Sequence, residues 1–99
     1  MPDIVVRKGA CGDIVDIHHY SINQFGQAVA EEYLAGLDDA ISSLGKLPEL
    51  GAVQQGIAPP IRALPYRSHK IFYSFDGATV YVVRILHHAM NAAARLTGG

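Results

Sequence analysis

The side chains with most chemical capacity fall in the second half of this chain: Arg62, Arg67, Lys70, Arg84 and Arg95, with the adjacent pair His87-His88. Guanidinium groups grip carboxylates or phosphates through paired hydrogen bonds, and imidazoles exchange protons near neutrality. Such a set suits a phosphate-bearing or acidic partner. The charges are distributed to match: residues 1–50 hold eight acids and three bases, residues 51–99 one acid and five bases, while the whole 99-residue chain carries a formal charge of −1. An ordinary mixed surface, unevenly spread along the sequence, accounts for the same numbers, so both readings stand at this point.

Position constrains each candidate. Arg84 sits in an otherwise apolar run, so its charge must either pair internally, with Asp13 or Asp16, or emerge on an open face. Arg62 and Arg67 are easier to expose. His87 and His88 are neighbours on an expected strand and so point to opposite faces, which argues against a single acid–base pair. The simpler reading is a strand-end histidine bonded to the backbone of an adjacent loop. His18-His19 carries less weight still. Tyr66, Tyr73 and Phe75 are expected in the core, with an outward-facing apolar groove as the alternative. No His/Cys/Asp spacing recommends a metal, and no cofactor is expected. Cys11 is the single cysteine, which excludes an internal disulfide and fits a reducing, cytoplasmic setting. The longest apolar stretch, Thr79 to Leu86, contains Arg84 and falls far short of the roughly 20 residues of a membrane helix.

These candidates need elements to position them. Ile71 to Leu86 reads as two strands closed at Asp76-Gly77, residues that tolerate the positive φ of a tight hairpin. Val80, Val82, Arg84 and Leu86 alternate with Tyr81, Val83, Ile85 and His87, so both faces of the hairpin require some cover. Asp3 to Arg7 is a β-branched strand, interrupted by Gly9 and Gly12. A helix follows from about residue 11 to 24, with Ile14, Ile17, Tyr20, Ile22 and Phe25 on its apolar side, and ends near Gly26. Ala30, Tyr33, Leu34, Leu37, Ile41, Leu44 and Leu47 mark a second helix, stopped by Pro48. Gly51 to Pro60 reads as a loop, Ile61 to Leu64 as a strand, and Met90 to Leu96 as an optional terminal helix. The expectation is one α+β domain over residues 1–99, of order β-α-α-β-β-β, with an antiparallel sheet covered on one face by a helical hairpin.

That order and its punctuation resemble the RelE/ParE superfamily of small toxins encoded beside an antitoxin. Asp13-Ile14 with Ile17 and Tyr20 is similar to the first-helix signature, and Ala30, Tyr33, Leu37, Ile41, Leu44, Pro48 and Gly51 to the second helix and its exit. Arg62-Ala63-Leu64, Tyr66 to Tyr73 and Val82 to His87 resemble the later strands. The last of these and the helix exit look more like the ParE branch. The resemblance implies a type II toxin that poisons DNA gyrase and is bound and silenced by a cognate antitoxin; the residues expected to meet such partners are Arg62, Tyr66, Arg67, Lys70, Tyr73, Arg84 and His87. It implies protein binding rather than catalysis. A RelE-like alternative, cleaving messenger RNA on the ribosome, would draw on Arg62, Arg84 and His87 or His88 for transition-state charge and proton transfer. A non-toxic interaction module that keeps the fold is the third reading.

Overall fold

The computed structural model describes residues 3–56, 60–88 and residue 96. The order is β1 (Asp3–Val6), α1 (Lys8–Phe25), α2 (Gln27–Lys46), β2 (Ala52–Val53), β3 (Arg62–Tyr66), β4 (His69–Phe75) and β5 (Thr79–His87). The five strands form one sheet in the order β1-β5-β4-β3-β2. Neighbouring pairs are antiparallel except β1 and β5, which run parallel. The sheet is therefore mixed where an antiparallel one was expected, because the chain crosses over through both helices before β5 returns beside β1. A second correction is β2. Its two residues pair with Ala63 and Arg62 inside the stretch read as a loop.

The helices meet at Gly26 alone, whose φ of 88° lets α1 stop and α2 start without a longer connection. The expected stripe of α2 is largely the buried one. Leu37, Ile41 and Leu44 pack with Ala10 and Ile17 of α1 against Ile71, Tyr73, Val80, Val82 and Ile85 of the sheet. Each fully buried aliphatic side chain of this kind contributes roughly 1.5–3 kcal/mol on leaving water. The apolar side of α1 behaves differently. Ile17 is buried, whereas Tyr20 and Phe25 remain 61% and 62% exposed, which leaves them available at the surface. Leu47 also lies exposed beyond the end of α2.

The opposite face of the sheet carries a second cluster of Ile61, Ala63, Phe72 and Leu86, against which Val83 and Leu96 pack. Both faces are thus covered to some degree, as the alternation required. The alternation itself breaks within β5. Phe72 pairs with Arg84 and Tyr73 with Val82, so Val83 is an extra residue and the side-chain parity reverses across it. Ile85, not Arg84 or Leu86, joins Val80 and Val82 on the helix side.

Two turns complete the positioning. At Asp76, the Oδ1 atom accepts from the Ala78 and Thr79 N–H groups at 3.1 and 2.9 Å, and Gly77 takes a φ of 93°. Those hydrogen bonds hold the exposed Asp76 carboxyl below its ordinary value. Between β3 and β4 the chain reverses at Arg67-Ser68, with Arg67 at φ 50°. The sequence shows no glycine or asparagine there. The expected helix at Met90 to Leu96, apart from Leu96 itself, and Arg95 lie outside the described residues.

Candidate partner-binding site

Arg84 is held by α1. The Asp13 carboxylate accepts from Arg84 Nε at 2.7 Å through Oδ2 and from Nη2 at 2.8 Å through Oδ1, and its Oδ2 also takes the Ile85 backbone N–H at 2.9 Å. These bonds raise the Arg84 pKa further above an already high value. Gly9 makes the seam possible. A Cβ there would meet Arg84 Cδ at 2.8 Å, so the glycine read as an interruption after the first strand is a helical residue that clears room for the arginine stem. The internal pairing with Asp13 thus prevails over the open-face reading. As a partner-binding or phosphate-binding group, Arg84 is corrected to a brace between α1 and β5.

Arg62 and Tyr73 fasten the other end of α2. Arg62 Nη1 donates to the carbonyls of Gly51 at 2.8 Å and Glu49 at 3.3 Å, and its guanidinium carbon lies 5.7 Å from the Phe75 ring centroid. Tyr73 is fully buried; its hydroxyl accepts the Gly51 N–H at 2.7 Å and donates to the Pro48 carbonyl at 2.7 Å. Burial pushes its pKa up. Gly51 has no space for a side chain, because a Cβ would meet Ala63 O and Tyr73 Cε1 at 2.8 Å each. Tyr73 is therefore the core residue that its type led us to expect, and its place among the partner contacts is corrected. Its burial follows from lying on the helix side of β4.

The remaining candidates gather where β3, β4 and β5 end. Tyr66 donates through its hydroxyl to the Tyr33 carbonyl of α2 at 2.8 Å, and the two rings stand edge to face with centroids 5.1 Å apart. Arg67 projects over this pair, 5.5 Å from each centroid, and approaches Glu32 only loosely at 3.9 Å. With a left-handed φ on an exposed arginine, the turn holds about 1 kcal/mol or more of strain in order to place that side chain. Lys70 follows on β4, half-buried and opposite Pro65 and Leu86.

Beside them runs a chain of rings. The Tyr33 hydroxyl and His69 Nδ1 are 2.6 Å apart, the His69 and His87 centroids 5.5 Å, and His87 and His88 stack at 4.3 Å. The stacking corrects the opposite-faces expectation, since β5 ends at His87 and His88 belongs to the following turn. Burial, then the neighbouring His87 and His88, lower the His69 pKa, while burial raises that of Tyr33. The 2.6 Å spacing is a hydrogen bond between phenol and imidazole, whose donor is set by the His69 tautomer. Sequence reading missed Tyr33 and His69 as members of this cluster. Tyr33 sat on a helical core stripe and His69 on a strand 36 residues away, and no local pattern joins them. A cavity of about 400 Å³ opens alongside, between α1 and the ends of β4 and β5, with Tyr20, Phe25, Tyr33, His69 and His87 in its wall.

Residues 4–92 match the family described as ParE toxin of type II toxin-antitoxin system, parDE. The chain belongs to the ParE toxin family. It is 32% identical over 91 residues to Toxin ParE1 of Caulobacter vibrioides, spanning 92% of this chain and 94% of that one. It is 34% identical over 93 residues to Toxin ParE1 of Mycobacterium tuberculosis H37Rv, spanning 93% and 95%. A solved structure titled as the chromosomal ParDE TA system from P. aeruginosa shares the fold, with a TM-score of 0.77 at 17% identity over 88% of this chain and 96% of that one.

This ParE-family chain is accordingly the toxin component of a type II toxin–antitoxin system, and an antitoxin is its partner. Within the superfamily, the ParE-branch reading of the sequence holds. Among the described residues no helix is long and apolar enough to cross a membrane. The seven candidate residues do not form one surface. Arg62, Tyr73 and Arg84 brace the fold, whereas Tyr66, Arg67, Lys70 and His87 lie at or near the β3–β4 turn.

Proposed function

We propose that this ParE-family toxin acts in the cytoplasm by binding DNA gyrase, without catalysis of its own, and that its cognate antitoxin silences it as a complex by covering the β3–β4 end of the sheet. The observation that carries the reading is the dispersal of the cations. Cleaving RNA requires several positive groups convergent on one phosphate. Here Arg84 is clasped by Asp13 and Arg62 by backbone carbonyls of the α2 exit. Arg67, with Tyr66 and the histidines nearby, instead forms a mixed aromatic and cationic end of the kind that anchors protein interfaces.

The test is a supercoiling assay of purified gyrase with purified toxin, repeated after adding the antitoxin encoded beside it. Inhibition that the antitoxin reverses is expected, with cellular transcripts left uncut. Fresh transcript ends on induction, with gyrase unaffected, would replace this reading by ribosome-dependent messenger-RNA cleavage. Normal growth and no antitoxin complex would point to an interaction module that has kept only the fold.

A further inference from the structure

Asp13 and Asp16 lie one turn apart on the same side of α1, yet their situations differ. Asp13 uses both oxygens on Arg84 and Ile85. Asp16 has no hydrogen-bond or ion-pair partner among the described residues. Asp16 lines the 400 Å³ cavity together with Tyr20, Phe25, Tyr33, His69 and His87. Aromatic faces attract cations through their quadrupole, and a carboxylate receives a guanidinium in a paired, planar geometry. A pocket combining the two has the chemistry of a cation receptor, with arginine as the best match because its flat group can stack and pair at once. The molecule already uses half of this chemistry next door, where Arg67 lies over the Tyr33 and Tyr66 rings.

We propose that the cavity between α1 and the ends of β4 and β5 receives an arginine side chain of the antitoxin, with Asp16 as its carboxylate partner and Tyr20, Phe25 and Tyr33 as its aromatic walls. Charge complementarity selects this occupant. The two helices bear Asp13, Asp16, Glu31, Glu32, Asp38 and Asp39 against Lys8 and Lys46 at their outer ends, and with Asp13 taken by Arg84 the remaining five acids still leave the helical layer favouring a basic segment. Tyr20 and Phe25 are more than half exposed, and an arriving arginine stem would cover them. The assignment to the antitoxin rests on the functional reading above.

Titration of the purified toxin with N-acetyl-arginine amide, followed by NMR, is expected to move the signals of Asp16, Phe25 and Tyr33, with saturation in the millimolar range typical of one isolated side chain. The citrulline derivative, neutral and nearly isosteric, should leave them in place. In the complete toxin–antitoxin complex, Asp16→Asn is expected to weaken binding about tenfold at low salt and less at high salt, and Asp16→Glu to restore most of it. Thermal melts of both variants guard against a folding defect. Equal shifts with the arginine and citrulline derivatives overturn the pocket, as does an Asp16→Asn toxin that binds both antitoxin and gyrase as tightly as the wild type. If Asp16→Asn spares the antitoxin complex but weakens gyrase binding, the antitoxin assignment is overturned in favour of the target. A wild-type toxin that ignores its antitoxin overturns that assignment together with the functional reading, whatever the arginine derivative does. Loss of the arginine response in a protein that still binds its antitoxin overturns the pocket alone.

Discussion

Arg84 on β5 and Arg67 in the β3–β4 turn are the same residue type, and their surroundings make them opposites. Arg84 is clasped bidentately by a carboxylate that is only 12% exposed and also holds a backbone N–H of β5. Arg67 stands on a strained turn, 54% exposed, with a carboxylate at 3.9 Å that is itself 75% exposed. In the first case partial burial strengthens each hydrogen bond and makes an unmade one costly; in the second, water competes for both ions. The closed seam between α1 and β5 therefore serves stability, and the open end at the β3–β4 turn is where we propose that a partner is met. Charge alone does not mark a binding residue. The number and burial of its existing partners decide.

The largest test of this contrast removes the acceptor of the closed seam. Asp13→Ala leaves the Arg84 guanidinium and the Ile85 N–H without their carboxylate, and is expected to cost about 3 kcal/mol, lowering the melting temperature by on the order of 15 °C. A loss below about 0.5 kcal/mol in chemical denaturation, the size of an exposed pair, would erase the distinction. Tyr73→Phe, at the other fixed point, keeps the ring and removes the hydroxyl between Gly51 and Pro48. The two backbone groups it abandons give an expected loss of about 2 kcal/mol, read in the same unfolding experiment.

Much of this fold was legible in the sequence, for reasons that show where legibility ended. The α2 stripe from Ala30 to Leu44 repeats at helical spacing and is buried by a sheet that needs such a stripe, so pattern and packing agree. The Asp76-Gly77 turn announces itself through local chemistry. Gly9 was misread because its purpose is tertiary: it makes room for Arg84, 75 residues onward, and no local rule reveals that. The bulge at Val83 reversed the faces of β5 without any glycine to mark it, and β2 has only two residues, too few for alternation to register. Of the site, the end formed by half-buried Tyr66 and exposed Arg67 was partly visible as residue types, whereas the contact between Tyr33 and His69 exists only after folding.

A smaller effect sharpens the contrast from the open end. The folded-state pKa of His69 lies below its ordinary value of 6.5, with burial as the first cause, then His87 and His88, against an opposing pull from Asp13. Below pH 6.5 the unfolded chain binds the proton first, so the folded protein loses stability as pH falls from 6.5 toward the lowered value, and gains nothing from His69 above 6.5. Denaturation midpoints measured across this window should decline in the wild type, with a shallower decline in His69→Gln. Identical slopes would mean that the imidazole cluster does not sense folding.

The smallest expected stability change is the most discriminating for function. Arg67 occupies a left-handed backbone region that glycine enters without strain, so Arg67→Gly is expected to stabilise the fold by up to about 1 kcal/mol even though it deletes the weak pair with Glu32. The same change removes the guanidinium that stands over Tyr33 and Tyr66. If the open end meets a partner, affinity for antitoxin or gyrase must fall while the melting temperature rises. Stability and binding then move in opposite directions, which a merely structural arginine does not permit. A variant that is more stable and binds both partners as tightly as before would show that the turn carries its strain for no partner, and the contrast between a closed brace and an open contact would reduce to a difference in burial.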